Sequence, residues 1–221
     1  MKIIEIKNDT NCIIGNEILL YNEIDSTQEE AKRIMNKVKE GTVIIANNQI
    51  DGKGTHGKKW YTEKNSNIIM SIILFPNIEV EKLKNITLDI ASVIVDTIYE
   101  LYNYKLTISY PNDIVLNGKK LGGILTNIST QGGIAKDIII GIGLNINQVQ
   151  FPEEIVDIAT SLRKEYEIIF NKKEIIEKIC INMEKLYKKI KNWKNFLFST
   201  RNDKQSKKNM ILYSPGRWIL L

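Results

Sequence analysis

Histidine occurs once in these 221 residues, at position 56, and cysteine twice, at positions 12 and 180. The two thiols lie far apart and beside no histidine cluster, which argues against a Cys/His zinc site and against a disulfide framework. Two buried or idle thiols are the expectation. Long apolar runs are missing too. The longest, residues 138–146, carries two glycines and falls well short of the ~18–20 residues of a membrane-spanning helix. The first residues show neither the apolar stretch nor the small-residue cleavage site of a secretory signal. A cytoplasmic protein with no membrane partner is therefore expected. Charge is not concentrated either: the net charge is +5 and the pI about 9.0, but the lysines alternate with acids along helices. That pattern reads as a solvated surface and not as a nucleic-acid interface.

What the chain does have is 43% hydrophobic residues, enough for a core, in a pattern that switches between a period of two and one of 3.6. Residues 17–24 alternate as a strand. Ser26 and Glu29 form a capping-box pair that opens a helix with Ala31, Ile34, Met35 and Val38 on one face, and Gly41 ends it. Strands are expected at 42–49, 68–74 and 106–110. Residues 79–102 read as one long helix, with Leu83, Ile86, Ile90, Val93, Ile94 and Leu101 as its buried stripe. Asn117-Gly118 and Gly132-Gly133 predict two tight turns joining strands 114–116, 120–128 and 135–147. Residues 174–193 form an amphipathic helix. Successive antiparallel hairpins with helices beside them predict an α+β fold.

The segment Gly52-Lys53-Gly54-Thr55-His56-Gly57 matches G-x-G-x-x-G, and with Lys58 most of a P-loop. Both motifs need a helix directly after the glycines, whose N-terminal amides would bind phosphate. Here the chain runs into a strand, and Lys59 replaces the hydroxyl residue of a P-loop. A cationic loop remains, which by itself reads equally as an anion cradle or as an exposed linker.

Asp25-Ser-Thr27, Gln49-x-x-Gly-Lys-Gly-x-x-Gly-x-x-Trp60, Pro111-Asn-Asp113, Gly118-Lys-Lys-Leu-Gly-Gly-Ile-Leu125 and Gly141-Ile-Gly-Leu-Asn-Ile-Asn147 follow in this order. Together they resemble the biotin protein ligase family, over roughly residues 19–190. The resemblance implies a class-II-synthetase-like mixed or antiparallel sheet with helices packed mainly on one face. It makes 1–193 the catalytic domain and 194–221 a short remnant of a C-terminal barrel. It implies a ligase that uses ATP and Mg2+ to turn biotin into biotinyl-5'-AMP, then passes biotin to a lysine of a biotin carboxyl carrier domain. An edge-to-edge homodimer is compatible with it.

By the same resemblance Ser26, Thr27, Gln49, Gly52, Gly54, Gly122 and Gly123 hold biotin. Lys53, Trp60, Asn112 and Asn145 hold ATP. Lys120 touches both ligands and is catalytic together with Lys53 and Lys58, and Asp113 is the candidate for the metal. Read as ordinary residues, Ser26 is a helix cap, Trp60 a core tryptophan, Asn112 and Asn145 turn asparagines, and Lys120 a solvated hairpin lysine.

The chain departs from the family pattern in four places. Thr55 stands where the family places an arginine, lysines replace arginines at 53 and 58, and Ser109-Tyr110 replaces Lys-Trp. Each lost charge-assisted contact is expected to cost ~1.5–3 kcal/mol, with His56 as an auxiliary cation. Too few residues precede Ser26 for a DNA-binding helix-turn-helix, so no nucleic-acid partner is expected. A non-catalytic binder of biotin or biotinyl-adenylate, and a lipoate-type ligase, are the competing readings.

Overall fold

The computed structural model describes residues 2–3, 12–192, 212–214 and 217–219, and the side chains of 12–192 apart from that of His56. Two units are distinguished, Met1–Leu186 and Tyr187–Leu221. The first holds strands β1 (Lys2–Ile3), β2 (Ile18–Tyr21), β3 (Val43–Ala46), β4 (Ile68–Leu74), β5 (Ile78–Glu79), β6 (Thr107–Ser109), β7 (Asp113–Leu116), β8 (Lys119–Gln131) and β9 (Ile134–Leu144). Its helices are α1 (Thr27–Ile34), α2 (Ile86–Tyr102), α3 (Leu162–Tyr166) and α4 (Lys172–Lys191), the last running on into the second unit. In the second unit Leu212–Ser214 pairs antiparallel with Arg217–Ile219. The tail expected at 194–221 otherwise lies outside the described residues. Among the described residues no helix is long and apolar enough to cross a membrane.

The sheet runs β1-β2-β3-β4-β9-β8-β7-β6, with β5 on β9, and is antiparallel except where β2 lies parallel to β3. All seven residues of β4 are buried, as befits a central strand covered on both faces, whose sequence is a nearly continuous apolar run. Ser71 interrupts that run. Its hydroxyl donates to Thr27 Oγ1 at 2.9 Å, which shows what lies over that face of the sheet. Alternation then sorts the other side chains. Ile73 and Ile139, opposite each other on β4 and β9, share Ser71's face and pack with Leu19, Ile44 and Ala31 of α1. The opposite face receives α2, whose Thr87 hydroxyl donates to Thr126 of β8 at 3.1 Å. Ile90, Ile94 and Ile98 of α2 are buried, each contributing roughly 1.5–3 kcal/mol. α4 is tied to α2 by Asn182 to Thr97 at 3.1 Å and by Lys178 to Glu100 at 2.8 Å. The two longest helices are therefore linked, while short α1 covers the other face.

Four local expectations need correction. The long helix begins at Ile86, not at 79. Ile78 and Glu79 pair with Ala135 and Ile134 as β5, and Val80–Leu83 is a 3-10 turn. Val93 and Leu101 are only half-buried, while Ala91 and Thr97 are buried. Ser26 does cap α1, accepting from Gln28 N, but Glu29 pairs with Lys32 at 2.8 Å and closes no capping box. α1 also ends at Ile34 in a 3-10 turn, Met35–Lys37, and not at Gly41. Both tight turns form as expected: Asn117, Gly118, Gly132 and Gly133 all have positive φ, as a two-residue hairpin loop of this type requires.

Candidate active site

Asp25 sets the entry to α1. Its carboxylate accepts from Ser26 N at 2.7 Å and from both terminal nitrogens of Arg33 at 2.7 Å. The Arg33 guanidinium holds Asp25 down to about 2. Ser26 and Thr27 thereby come under the sheet face that carries Gly123, Gly141 and Gly143. Thr27 gives both its amide and its hydroxyl to Gln49 Oε1, at 2.8 and 3.1 Å, so that oxygen is engaged by the protein itself. The Gln28 amide donates to Leu125 O at 2.8 Å and lies against Gly141.

The glycine loop is a strapped turn. Gly54 N donates to Lys58 O at 2.7 Å, Trp60 N to Gly52 O at 2.9 Å, and Asp51 N to Asp25 O at 3.0 Å. No helix follows it, so neither nucleotide motif has its phosphate-binding amides. The loop ends by laying the Trp60 indole on the sheet. A Cβ at Gly143 would come within 2.6 Å of that ring, and one at Gly123 within 3.5 Å. At 143 only glycine leaves room for an indole so close to strand backbone, whereas a methyl at 123 would make ordinary contact with it. Lys120 Nζ stands 5.8 Å from the Trp60 ring centroid and 2.8 Å from Asp113 Oδ1, a cation held between a carboxylate and an aromatic face.

Two cavities meet at this point. The first, of about 460 Å3, is lined by Ser26, Thr27, Gln49, Gly123 and Gly141 among others. The second, of about 850 Å3, is walled by Tyr61, Phe151, Ile155 and Ile158 with Lys58 and Lys59 at its edge. Gly54, Thr55, Trp60 and Lys120 belong to both. The pair offers a small polar-and-apolar chamber, a larger aromatic chamber, and a fixed positive charge at their junction.

Nine of the expected residues line the first cavity: Ser26, Thr27, Gln49, Lys53, Gly54, Trp60, Asn112, Lys120 and Gly123. Lys58, Asn145 and Asp113 line the second. Gly52 and Gly122 line neither. Gly122 points to the opposite face, where a Cβ would meet Leu144 Cδ2 at 2.4 Å; it is a packing glycine, because side chains alternate along β8. Gly52 is needed for loop closure, since its Cβ would sit 2.5 Å from Trp60 O. The side-chain amide donors of Asn112 and Asn145 go to main-chain oxygens, Ile124 O at 3.2 Å and Thr160 O at 3.0 Å. Lys53 is paired with Asp51, which raises its pKa. His56's side chain lies outside the described residues. Phe151, Ile155 and Ile158 escaped the sequence reading. Ile158 is 63% exposed in an irregular segment, and no periodicity in residues 151–158 marks them as an apolar wall.

The mixed sheet and the joined cavities are those of a ligand-binding domain, and the sheet is the class-II-synthetase-like one of the solved biotin protein ligases it superposes on. The model of the biotin/lipoate A/B protein ligase family matches residues 20–145. The bifunctional ligase/repressor BirA of Bacillus subtilis is 35% identical over 179 residues, 80% of this chain and 55% of that protein. The biotin--[acetyl-CoA-carboxylase] ligase of Mycobacterium tuberculosis is 30% identical over 127 residues, 56% of this chain and 45% of the relative. The biotin protein ligase of Aquifex aeolicus in complex with biotin and ATP superposes with a TM-score of 0.69 at 28% identity, covering 79% of this chain and 72% of that one. The chain belongs to the biotin/lipoate A/B protein ligase family. It spans about half the length of the curated relatives it matches.

Proposed function

We propose that this domain is an ATP-dependent biotin protein ligase. The observation that carries the reading is the pair of cavities sharing Trp60 and Lys120, on a chain similar to ligases solved with biotin and ATP. Biotin's ring system enters the first cavity, where the Ser26 hydroxyl and the Gln49 amide are polar groups suited to a ureido ring. Its valeryl carboxylate points to Lys120. The adenosine enters the second cavity against Phe151, Ile155 and Ile158, with its phosphates toward Lys58, Lys59 and Lys120.

The chemistry follows from charge. A carboxylate oxygen of biotin attacks the α-phosphorus, the bond to the β-phosphate oxygen breaks, and pyrophosphate leaves. The product is a mixed anhydride, biotinyl-5'-AMP. Lys120 at the junction offsets negative charge where it builds up. The Trp60 indole and the strapped loop shield the anhydride from water. A neutral lysine amine of a biotin carboxyl carrier domain then attacks the acyl carbon, AMP leaves with the electron pair, the amine's proton passes to solvent, and an amide forms. Magnesium bound with the nucleotide phosphates would offset part of their charge. Asp113 is the carboxylate at the cavity walls among the described residues, and it would be the one to offer an oxygen to such an ion.

The test is mass spectrometry of a carrier domain incubated with the protein, ATP, Mg2+ and biotin. Modification of one lysine, dependent on ATP, is expected. Replacement of biotin by lipoate should give no product, because a dithiolane ring offers no partner to Ser26 or Gln49. Modification by lipoate alone would move the chain to the other branch of its family. Biotin binding with no modification and no AMP would make it a non-catalytic binder.

A further inference from the structure

Lys120 is fixed at its main chain as well as at its ammonium group. Its N–H donates to Ile158 O at 2.7 Å, and its C=O accepts from Thr160 N at 2.9 Å. Residues 158–160 thus form a short parallel bridge alongside Lys120. On its other side stands the Asn117-Gly118 turn, with Asn117 at φ +51. One carboxylate joins these two supports. Glu165 Oε1 accepts from the hydroxyl of fully buried Thr160 at 2.5 Å, and Oε2 accepts from Asn117 Nδ2 at 2.6 Å. Glu165 is presented by α3, a five-residue helix capped by Ser161, whose Oγ accepts from Lys164 N at 3.0 Å and donates to Gln148 O.

We propose that Glu165 is a positioning residue for adenylation, acting as a carboxylate clamp that closes the Asn117 turn and the 158–160 bridge around Lys120. The inference rests on the reading of Lys120 as the junction cation. Two hydrogen bonds from Thr160 and Asn117 hold the Glu165 carboxyl below its usual range, so the clamp stays ionised throughout the neutral range. Without it, Thr160 keeps its main-chain bond to Lys120 but loses the side-chain tie. The turn two residues before Lys120 loses its anchor as well. The lysine then samples positions off the junction, and a small misplacement of a group that stabilises charge is costly in rate.

The variants Glu165→Ala, Glu165→Gln and Asn117→Gly separate this role from simple folding support. Gln can still accept from Asn117 and can donate to the Thr160 hydroxyl. Gly keeps the left-handed turn and removes only the amide. Biotin-dependent pyrophosphate exchange is measured, with amide hydrogen exchange on the same samples. Glu165→Ala should lower kcat about tenfold with the KM for biotin changed less than about twofold, the pattern of an interaction used in the transition state. Asn117→Gly should fall between Glu165→Ala and the wild type, and Glu165→Gln should restore most of the rate. Amides at 119–121 and 158–160 should lose protection in Glu165→Ala but not in Glu165→Gln, with those of β4 unchanged. Unchanged kcat and unchanged protection in Glu165→Ala would overturn the proposal, as would a folded Glu165→Gln as impaired as Glu165→Ala. Absence of exchange in the wild-type protein would instead remove the ligase reading, and the protection data would still decide whether Glu165 holds Lys120.

Discussion

Gly122 and Gly123 are neighbours in sequence and serve opposite faces of β8. A methyl at 122 would strike Leu144 at 2.4 Å and Gly143 O at 2.8 Å, whereas one at 123 would reach Trp60, Lys120 and Asp113 only at 3.5 to 3.6 Å. Gly122→Ala should therefore cost ~1–3 kcal/mol of stability by overpacking, read as a lower melting temperature. Gly143→Ala puts a methyl 2.6 Å from the indole. It should weaken biotin binding about tenfold in titration calorimetry, equivalent to ~1.4 kcal/mol, because the indole must move. Wild-type affinity in Gly143→Ala would mean that the indole's place on the sheet is immaterial. Lys120→Ala removes the junction cation and should reduce exchange by about ten- to a hundredfold, the size of a lost charge-assisted bond. The motifs singled out Lys120, Gly123, Trp60 and Gln49, and the fold brings all four to the wall of one cavity. The same motif logic misplaced Gly122, since a motif carries no record of which face a residue takes. It also left Asn112 and Asn145 open, since only the fold shows where an amide donates.

At the scale of elements, turns were the most readable parts. Asn117-Gly118 and Gly132-Gly133 impose left-handed backbone that few other pairs accept, and β7, β8 and β9 follow from them. Residues 79–85 were misread because one turn of helical spacing also suits a strand end followed by a 3-10 turn; pairing of Ile78 and Glu79 with β9 decided the matter. The five-residue helix α3 is too short for any period to reveal, and so was Glu165's role. The entry to α1 gives a pH prediction. Asp25 ionises at about 2 in the fold against 3.8 ordinarily. Its contribution to stability is thus fully present above about pH 4 and lost as the pH falls through about 2. The Asp25–Arg33 pair is more than one-third exposed, so the amount is modest, ~1 kcal/mol or less. In urea melts, the gap between wild type and Asp25→Asn should be constant from pH 7 to 5 and narrow below 4. A gap that widened in acid would contradict the pairing.

At the scale of the whole molecule, the described part of the site brings a few cations, Lys53, Lys58, Lys59 and Lys120, to the walls of two joined cavities. One of these is more engaged than the sequence suggested: Lys53 is held by Asp51, as Lys120 is by Asp113. Lys120, with Lys58 and Lys59 beside it, is left to face the phosphates. We propose that this set of cations adenylates biotin. The most direct measurement is the exchange of labelled pyrophosphate into ATP by the purified protein, with biotin, with lipoate and with neither. Exchange that requires biotin and is not supported by lipoate is the predicted result. No exchange with biotin, under conditions where biotin binds, would contradict it.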